Sequence, residues 1–108
     1  MPDRINHLFR AMSDPTRREI FHVLVVAATA LSIHQISEQF HITRQGITKH
    51  LNLLREAGLV EFRTNGRERL CTANVEPLRE FRDWLAWYER FWDQKLRDLG
   101  RYLDDKRS

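Results

Sequence analysis

Apolar residues recur every three or four positions along most of this 108-residue chain and lose that period most clearly between Leu59 and Thr72. Ile5, Leu8, Phe9 and Met12 keep helical spacing, so residues 1–13 predict a short amphipathic helix. In "SDPTRREIFHVLVVA", Asp14 suits an N-cap and Pro15 a first helical position, with Ile20, Val23, Leu24 and Ala27 as the expected inner face. "TAL" breaks that run. Ser32 and Gln35 then stand at capping-box spacing, opening a short helix with Ile33, Ile36 and Phe40 turned inward. His41 and Ile42 form the turn that follows, and Thr43 caps the next helix. Ile47, Leu51 and Leu54 are its buried stripe, and Gly58 supplies the left-handed position that ends it. Two helices joined by so short a turn follow the helix-turn-helix plan.

The aperiodic stretch "LVEFRTNGRERLCT" contains Asn65-Gly66, a strong hairpin signal. A three-residue loop, Thr64-Asn65-Gly66, pairs Val60 with Leu70 and Glu61 with Arg69, and sets Arg63 opposite Arg67. That register keeps apolar beside apolar and acid beside base, and is the one expected. The expected fold is therefore mainly α with a small β-hairpin wing: a winged helix-turn-helix flanked by N- and C-terminal dimerisation helices. It is read as one winged-helix domain over 1–108, divided into an N-terminal helix (1–13), helix-turn-helix plus wing (14–73), and a long C-terminal helix and tail (74–108).

Dimerisation enters through the last segment. From Asn74, the expected N-cap, to about Leu103, one stripe runs through Leu78, Phe81, Leu85, Tyr88, Trp92, Leu96 and Leu99, widened by Trp84, Trp87 and Phe91. A helix of that length is ~40 Å long, whereas a compact chain of this size has a radius of gyration of ~13 Å. One small domain cannot cover so much aromatic surface, so a homodimer is expected. Its interface residues are Ile5, Leu8, Phe9, Phe81, Trp84, Leu85, Tyr88, Phe91, Trp92, Leu96 and Leu99.

Charge sharpens this picture once it is located. The formal net charge is +3. Residues 1–42 balance four cations with four anions, and residues 74–108 balance eight with eight. Residues 43–69 hold six cations against three anions, so the whole excess lies in the second helix of the pair and the hairpin, which favours a polyanionic partner there. The single cysteine, Cys71, excludes an intrachain disulfide and suits a reducing compartment. No secretory signal is legible in "MPDRINHLFRAM", and "IFHVLVVAATAL" falls short of the ~20 apolar residues of a membrane span. A cytoplasmic protein without a membrane role is expected. No nucleophile–base spacing or phosphate-cradling glycine loop suggests an enzyme.

Arg44, Gln45, Thr48, Lys49 and Asn52 share the face opposite the buried stripe, with no acid before Glu56. These are the side chains that read base edges in a major groove, Arg and Lys on guanine and Asn and Gln on adenine. Thr43 and Gly46 belong to the same first turn. Gly46 costs about 1 kcal/mol relative to alanine, so it is expected to provide clearance, either for a phosphate approaching the helix N-terminus or for close helix packing. Arg63, Asn65, Gly66, Arg67 and Arg69 are the expected wing contacts to double-stranded DNA. The alternative is a winged-helix module that docks a protein and does not bind specific DNA.

The runs "AMSDPTRREIFHVL" and "ALSIHQISEQFHITRQGITKHLNLLREAGLVEFRTNGRERL" resemble the ArsR/SmtB-type winged-helix repressors over nearly the whole chain. The resemblance implies a symmetric dimer built from the first and last helices, occupying a palindromic operator until a signal relieves repression. Its recognition-helix readers fall on Arg44, Gln45, Thr48 and Lys49, and its wing contacts on Arg63, Arg67 and Arg69. The sequence departs from the metal-sensing members. Where many carry a Cys-x-Cys pair, this chain has Ser32 and His34, and the last helix has no histidine. One thiol cannot make a disulfide switch within a chain. No metal and no cofactor are expected, an intersubunit site through His7 or His34 being the arrangement left open, and the expected repressor is either independent of a ligand or answers an unknown small-molecule effector.

Overall fold

The computed structural model describes residues 3–107; residues 1, 2 and 108, which the expected end segments include, lie outside the described residues. The elements in order are α1 (Asp3–Met12), α2 (Pro15–Ala27), β1 (Leu31–Ser32), α3 (Ile33–Phe40), α4 (Arg44–Glu56), β2 (Val60–Asn65), β3 (Glu68–Ala73) and α5 (Glu76–Arg107). Local signals set most boundaries. Asp14 caps α2 by accepting from the Arg17 amide, and Pro15 takes the first turn. Ala28, at φ +53°, ends the helix. Gly58, at φ +77°, turns the chain after α4 in a conformation that favours glycine.

Leu8, Ile20, Leu24, Ile36, Ile47, Leu51, Leu54, Leu59, Val60 and Cys71 are fully buried together. Each large apolar side chain contributes ~1.5–3 kcal/mol by leaving water. That burial, more than helix propensity, holds α4, whose 13 residues are marginal for an isolated helix. On α2 the buried residues are Ile20, Phe21 and Leu24, with Val23 and Ala27 half-buried, so the inner face is rotated slightly from the expected one.

The sheet corrects the sequence reading twice. It has three strands in the order β1-β3-β2, and β1, which no periodicity announces, pairs Leu31 with Cys71 and Ser32 with Leu70. The hairpin register is shifted by three residues from the expected one: Val60 faces Ala73, Phe62 faces Cys71, Arg63 faces Leu70 and Thr64 faces Arg69. An odd shift exchanges the two faces of a strand. The observed register gathers Val60, Phe62, Cys71 and Ala73 on the core side and turns Leu70 to the other face, which the expected pairing of Val60 with Leu70 would have prevented. The turn is two residues long, Gly66-Arg67, with Gly66 at φ +65°, as the first position of a type II′ turn requires.

Ile5 and Leu8 correct the expected interface. At 4% and 2% exposed they belong to the protomer's own core and have no surface to offer a partner. Asn74 lies just before α5 and caps it, as expected, through its side chain. Its Oδ1 accepts from the Glu76 amide at 3.2 Å, while its Nδ2 donates to the Gly58 carbonyl at 3.1 Å, tying the end of α4 to the start of α5.

α5 has 32 residues and none of them is buried. Only its first turns meet the core, through the half-buried Leu78, Phe81 and Trp84. Phe9 of α1 stands edge-on to Phe81 and Trp84, with centroids 5.3 Å from each. Beyond them Leu85, Tyr88, Phe91, Trp92, Leu96 and Leu99 are exposed along the projecting helix, and the molecule extends 75 × 23 × 23 Å. Among the described residues no helix is long and apolar enough to cross a membrane.

Candidate nucleic-acid interface

α3 starts on a reciprocal cap and α4 on a single one. Ser32 Oγ accepts from the Gln35 amide at 3.1 Å, and Gln35 Oε1 accepts from the Ser32 amide at 2.8 Å, completing the expected capping box. His41, at φ +51°, closes α3. Thr43 Oγ1 then accepts from the Gly46 amide at 3.1 Å and starts α4. With Ile47, Leu51 and Leu54 buried beneath, the opposite face presents Arg44, Gln45 and Lys49 to solvent and leaves Thr48 and Asn52 half-buried.

Gly46 faces the turn. A β-carbon there would sit 2.7 Å from Ile42 Cγ2 and 3.4 Å from Thr43 Oγ1, and the Gly46 N–H is already spent on Thr43. Of the two reasons considered for this glycine, the geometry supports close packing of the turn. Thr48 uses its hydroxyl proton on the Arg44 carbonyl at 2.7 Å, which leaves its oxygen as an acceptor.

The wing exposes Arg63, Asn65, Gly66, Arg67 and Arg69. The expected facing pair Arg63–Arg67 does not form, because Arg63 lies opposite Leu70 and Arg67 sits in the turn. Arg69 is not across from Glu61 either. Its guanidinium carbon lies 5.4 Å from the centroid of the Phe62 ring, and that of Arg55 lies 4.7 Å away. These cation–π contacts tie the wing to the last turn of α4. Arg55 escaped the sequence reading because only the packing of β2 against the end of α4 shows which ring it meets.

Recognition helix and wing meet around a cleft of ≈ 500 Å³ lined by Ser32, Ile33, His34, Arg44, Thr48, Arg67, Glu68 and Arg69. Three arginines against one glutamate make it electropositive. Lys49, Gln45, Asn52, Arg63 and Asn65 are not among its lining residues. Sequence reasoning passed over Glu38 here and weighed His34 only as a metal ligand. Arg44 Nη2 donates to His34 Nδ1 at 2.6 Å, and His34 Nε2 lies 2.8 Å from Glu38 Oε1. The i, i+4 spacing of His34 and Glu38 was legible, but their convergence on Arg44 was not.

Ser32 Oγ is engaged by Gln35 and both His34 nitrogens have partners. Among the described residues no group of three or more His, Cys, Asp or Glu side chains is gathered to hold an ion. Cys71 is fully buried, and burial pushes its thiol up to about 11, the charge of Arg69 opposing. A thiol held protonated at neutral pH is a packing residue.

A helix-turn-helix domain family matches residues 12–62, from the end of α1 into β2. Over 81 residues the chain is 31% identical to the transcriptional repressor SdpR of Bacillus subtilis (strain 168), covering 75% of this chain and 88% of that protein. It is 39% identical over 77 residues to the HTH-type transcriptional regulator YuzN of the same organism, covering 67% of this chain and 84% of the relative. Among solved structures, an ArsR-like transcriptional regulator from Rhodococcus sp. RHA1 superposes with a TM-score of 0.86 at 30% identity, covering 95% of this chain and 93% of its own.

Proposed function

The chain belongs to the ArsR family of winged helix-turn-helix transcriptional regulators, and on that premise we propose that it acts as a homodimeric, sequence-specific repressor of a palindromic operator. The family binds DNA and is not an enzyme family. The observation that carries the reading is the electropositive junction at which Arg44 and Thr48 of α4 meet Arg67 and Arg69 of the wing. Phosphate contacts set position and base-edge contacts set sequence, and this junction offers both kinds of group side by side.

In this reading Arg44, Gln45, Thr48, Lys49 and Asn52 face the major groove, and Thr43 and Gly46 shape the first turn that enters it. Arg63, Asn65, Gly66, Arg67 and Arg69 follow the adjacent backbone or minor groove. Residues 14–73 form the reading unit, and the helices on either side form the dimerisation unit. Phe9, Phe81, Trp84, Leu85, Tyr88, Phe91, Trp92, Leu96 and Leu99 are its contact residues. Support comes from α5, which carries that apolar surface without burying any of its residues. A twofold dimer matches a palindromic site. Repression is either independent of a ligand or relieved by an unidentified small molecule, and the protein works in the cytoplasm.

Anisotropy titration against duplexes selected from a random-sequence pool tests the reading. Specific binding that weakens steeply with salt is expected; absence of binding at low salt, or binding indifferent to salt, overturns it.

A further inference from the structure

Arginine carries donors and no acceptor, so the 2.6 Å contact between Arg44 Nη2 and His34 Nδ1 runs one way only. Arg44 donates, and Nδ1 is unprotonated. The ring proton then sits on Nε2 and is donated to Glu38 Oε1 at 2.8 Å. Glu38 thus holds the tautomer, and the tautomer presents a lone pair to the first residue of the recognition helix.

We propose that His34 is a positioning residue for DNA binding: neutral and oriented by Glu38, it holds the Arg44 guanidinium at the junction of α3, α4 and the wing. The proposal rests on the reading of Arg44 as a DNA contact. Without His34 the exposed Arg44 side chain is a long, freely rotating group, and Arg67 and Arg69 across the cleft repel it. One donor spent on His34 leaves the other N–H groups of the guanidinium for a base edge or a phosphate, with the rotamer already selected.

The same geometry makes the support conditional on protonation. A protonated His34 has N–H on both nitrogens, so its Nδ1 would face Arg44 as a donor facing a donor, cation against cation. The charged groups around His34 are Glu38 on its own helix, Arg44 on α4, and Arg67, Glu68 and Arg69 on the wing. Only a ring with an unprotonated Nδ1 can accept from Arg44, so acidification opposes the support.

The experiment measures affinity for a duplex that the wild-type protein enriches from a random-sequence pool, at about pH 8 and about pH 5.5. It uses the wild type, H34A, H34N, E38Q, R44A and the H34A/R44A double variant, each checked by thermal melting. At the higher pH, H34A is expected to weaken binding about tenfold, the effect of one charge-assisted hydrogen bond. E38Q should weaken it less. H34N offers an oxygen near the place of Nδ1 and does not titrate, so it restores most of the affinity. As pH falls, the wild type should weaken relative to H34N. In the R44A background, H34A should cost nothing further.

A cost of H34A that persists in the R44A background, or a wild type that tightens relative to H34N as pH falls, shows His34 acting on DNA directly and overturns the positioning role. Wild-type affinity in H34A with weakened binding in R44A overturns it too, while leaving the DNA reading intact. Wild-type affinity in R44A removes Arg44 from the interface, and the proposal falls with it.

Discussion

Arg17 Nη1 lies 3.3 Å from His50 Nδ1, joining α2 to the middle of the recognition helix. The same guanidinium donates through Nε to the Ala11 carbonyl at 3.0 Å and through Nη2 to the Arg10 carbonyl at 2.9 Å. One side chain therefore closes the carbonyl end of α1 and braces α4. Arg18 reaches the Met12 carbonyl beside it. Hydrogen bonds from a charged donor contribute ~1.5–3 kcal/mol when partly buried. Arg17→Met keeps the aliphatic stem and removes the donors, and should lower stability by about 2 kcal/mol in urea unfolding. A change within a few tenths would mean that water satisfies those carbonyls equally well.

Asp14 makes stability depend on acidity. The hydrogen bond from the Arg17 amide, 2.9 Å to Asp14 Oδ2, is the main cause holding its carboxyl below the ordinary value; burial opposes, and the charges of Arg17 and His50 add to the lowering. A depressed carboxyl favours folding while ionised, so its contribution is present above the ordinary carboxylate range and is lost as pH falls through the folded-state value. Asp14→Asn keeps a capping acceptor but not the charge. The difference in melting temperature between wild type and this variant should shrink from about pH 6 to about pH 3. A constant difference would assign the effect to cap geometry alone.

Gly46→Ala sets helix propensity against a clash. Alanine gains about 1 kcal/mol in a helix, but its β-carbon would meet Ile42 Cγ2 at 2.7 Å. Overpacking of this kind costs ~1–3 kcal/mol, so a net loss of about 1 kcal/mol is expected. In an Ile42→Ala background the clash disappears and the same substitution should stabilise. Loss of DNA affinity at unchanged stability would restore the phosphate explanation.

Leu96 and Trp92 are exposed on the projecting half of α5, Trp92 by 62%. Leu96→Glu combined with Trp92→Glu should convert a species of about twice 13.0 kDa into one of about that mass in sedimentation velocity. The melting transition of each protomer should persist, because no buried residue lies on α5. An unchanged sedimenting mass would locate the interface elsewhere.

Helix and wing should fail differently. Lys49→Ala removes a base contact worth ~1–3 kcal/mol and should relax preference at one operator position. Arg67→Ala, at the tip of the hairpin, should weaken all duplexes alike and reduce the slope of log affinity against log salt by about 1. The reverse pattern would exchange their roles.

Caps and stripes were legible in the sequence because their causes are local. Asp14 with Arg17, Ser32 with Gln35 and Thr43 with Gly46 are hydrogen bonds across three residues, and Ile47, Leu51 and Leu54 lie on one helix face whatever covers them. The cationic balance of residues 43–69 was likewise a property of the string. What the tertiary structure alone decided was which partner each group meets. Ile5 and Leu8 were readable as buried, but not as buried inside their own protomer. The hairpin register depended on which face of β3 turns to the core and on pairing with β1, about forty residues upstream and too short to show a period. Arg44 found His34 only because a left-handed His41 folds α4 back against α3. Short-range bonds are written in spacing; long-range partners follow from how faces pack.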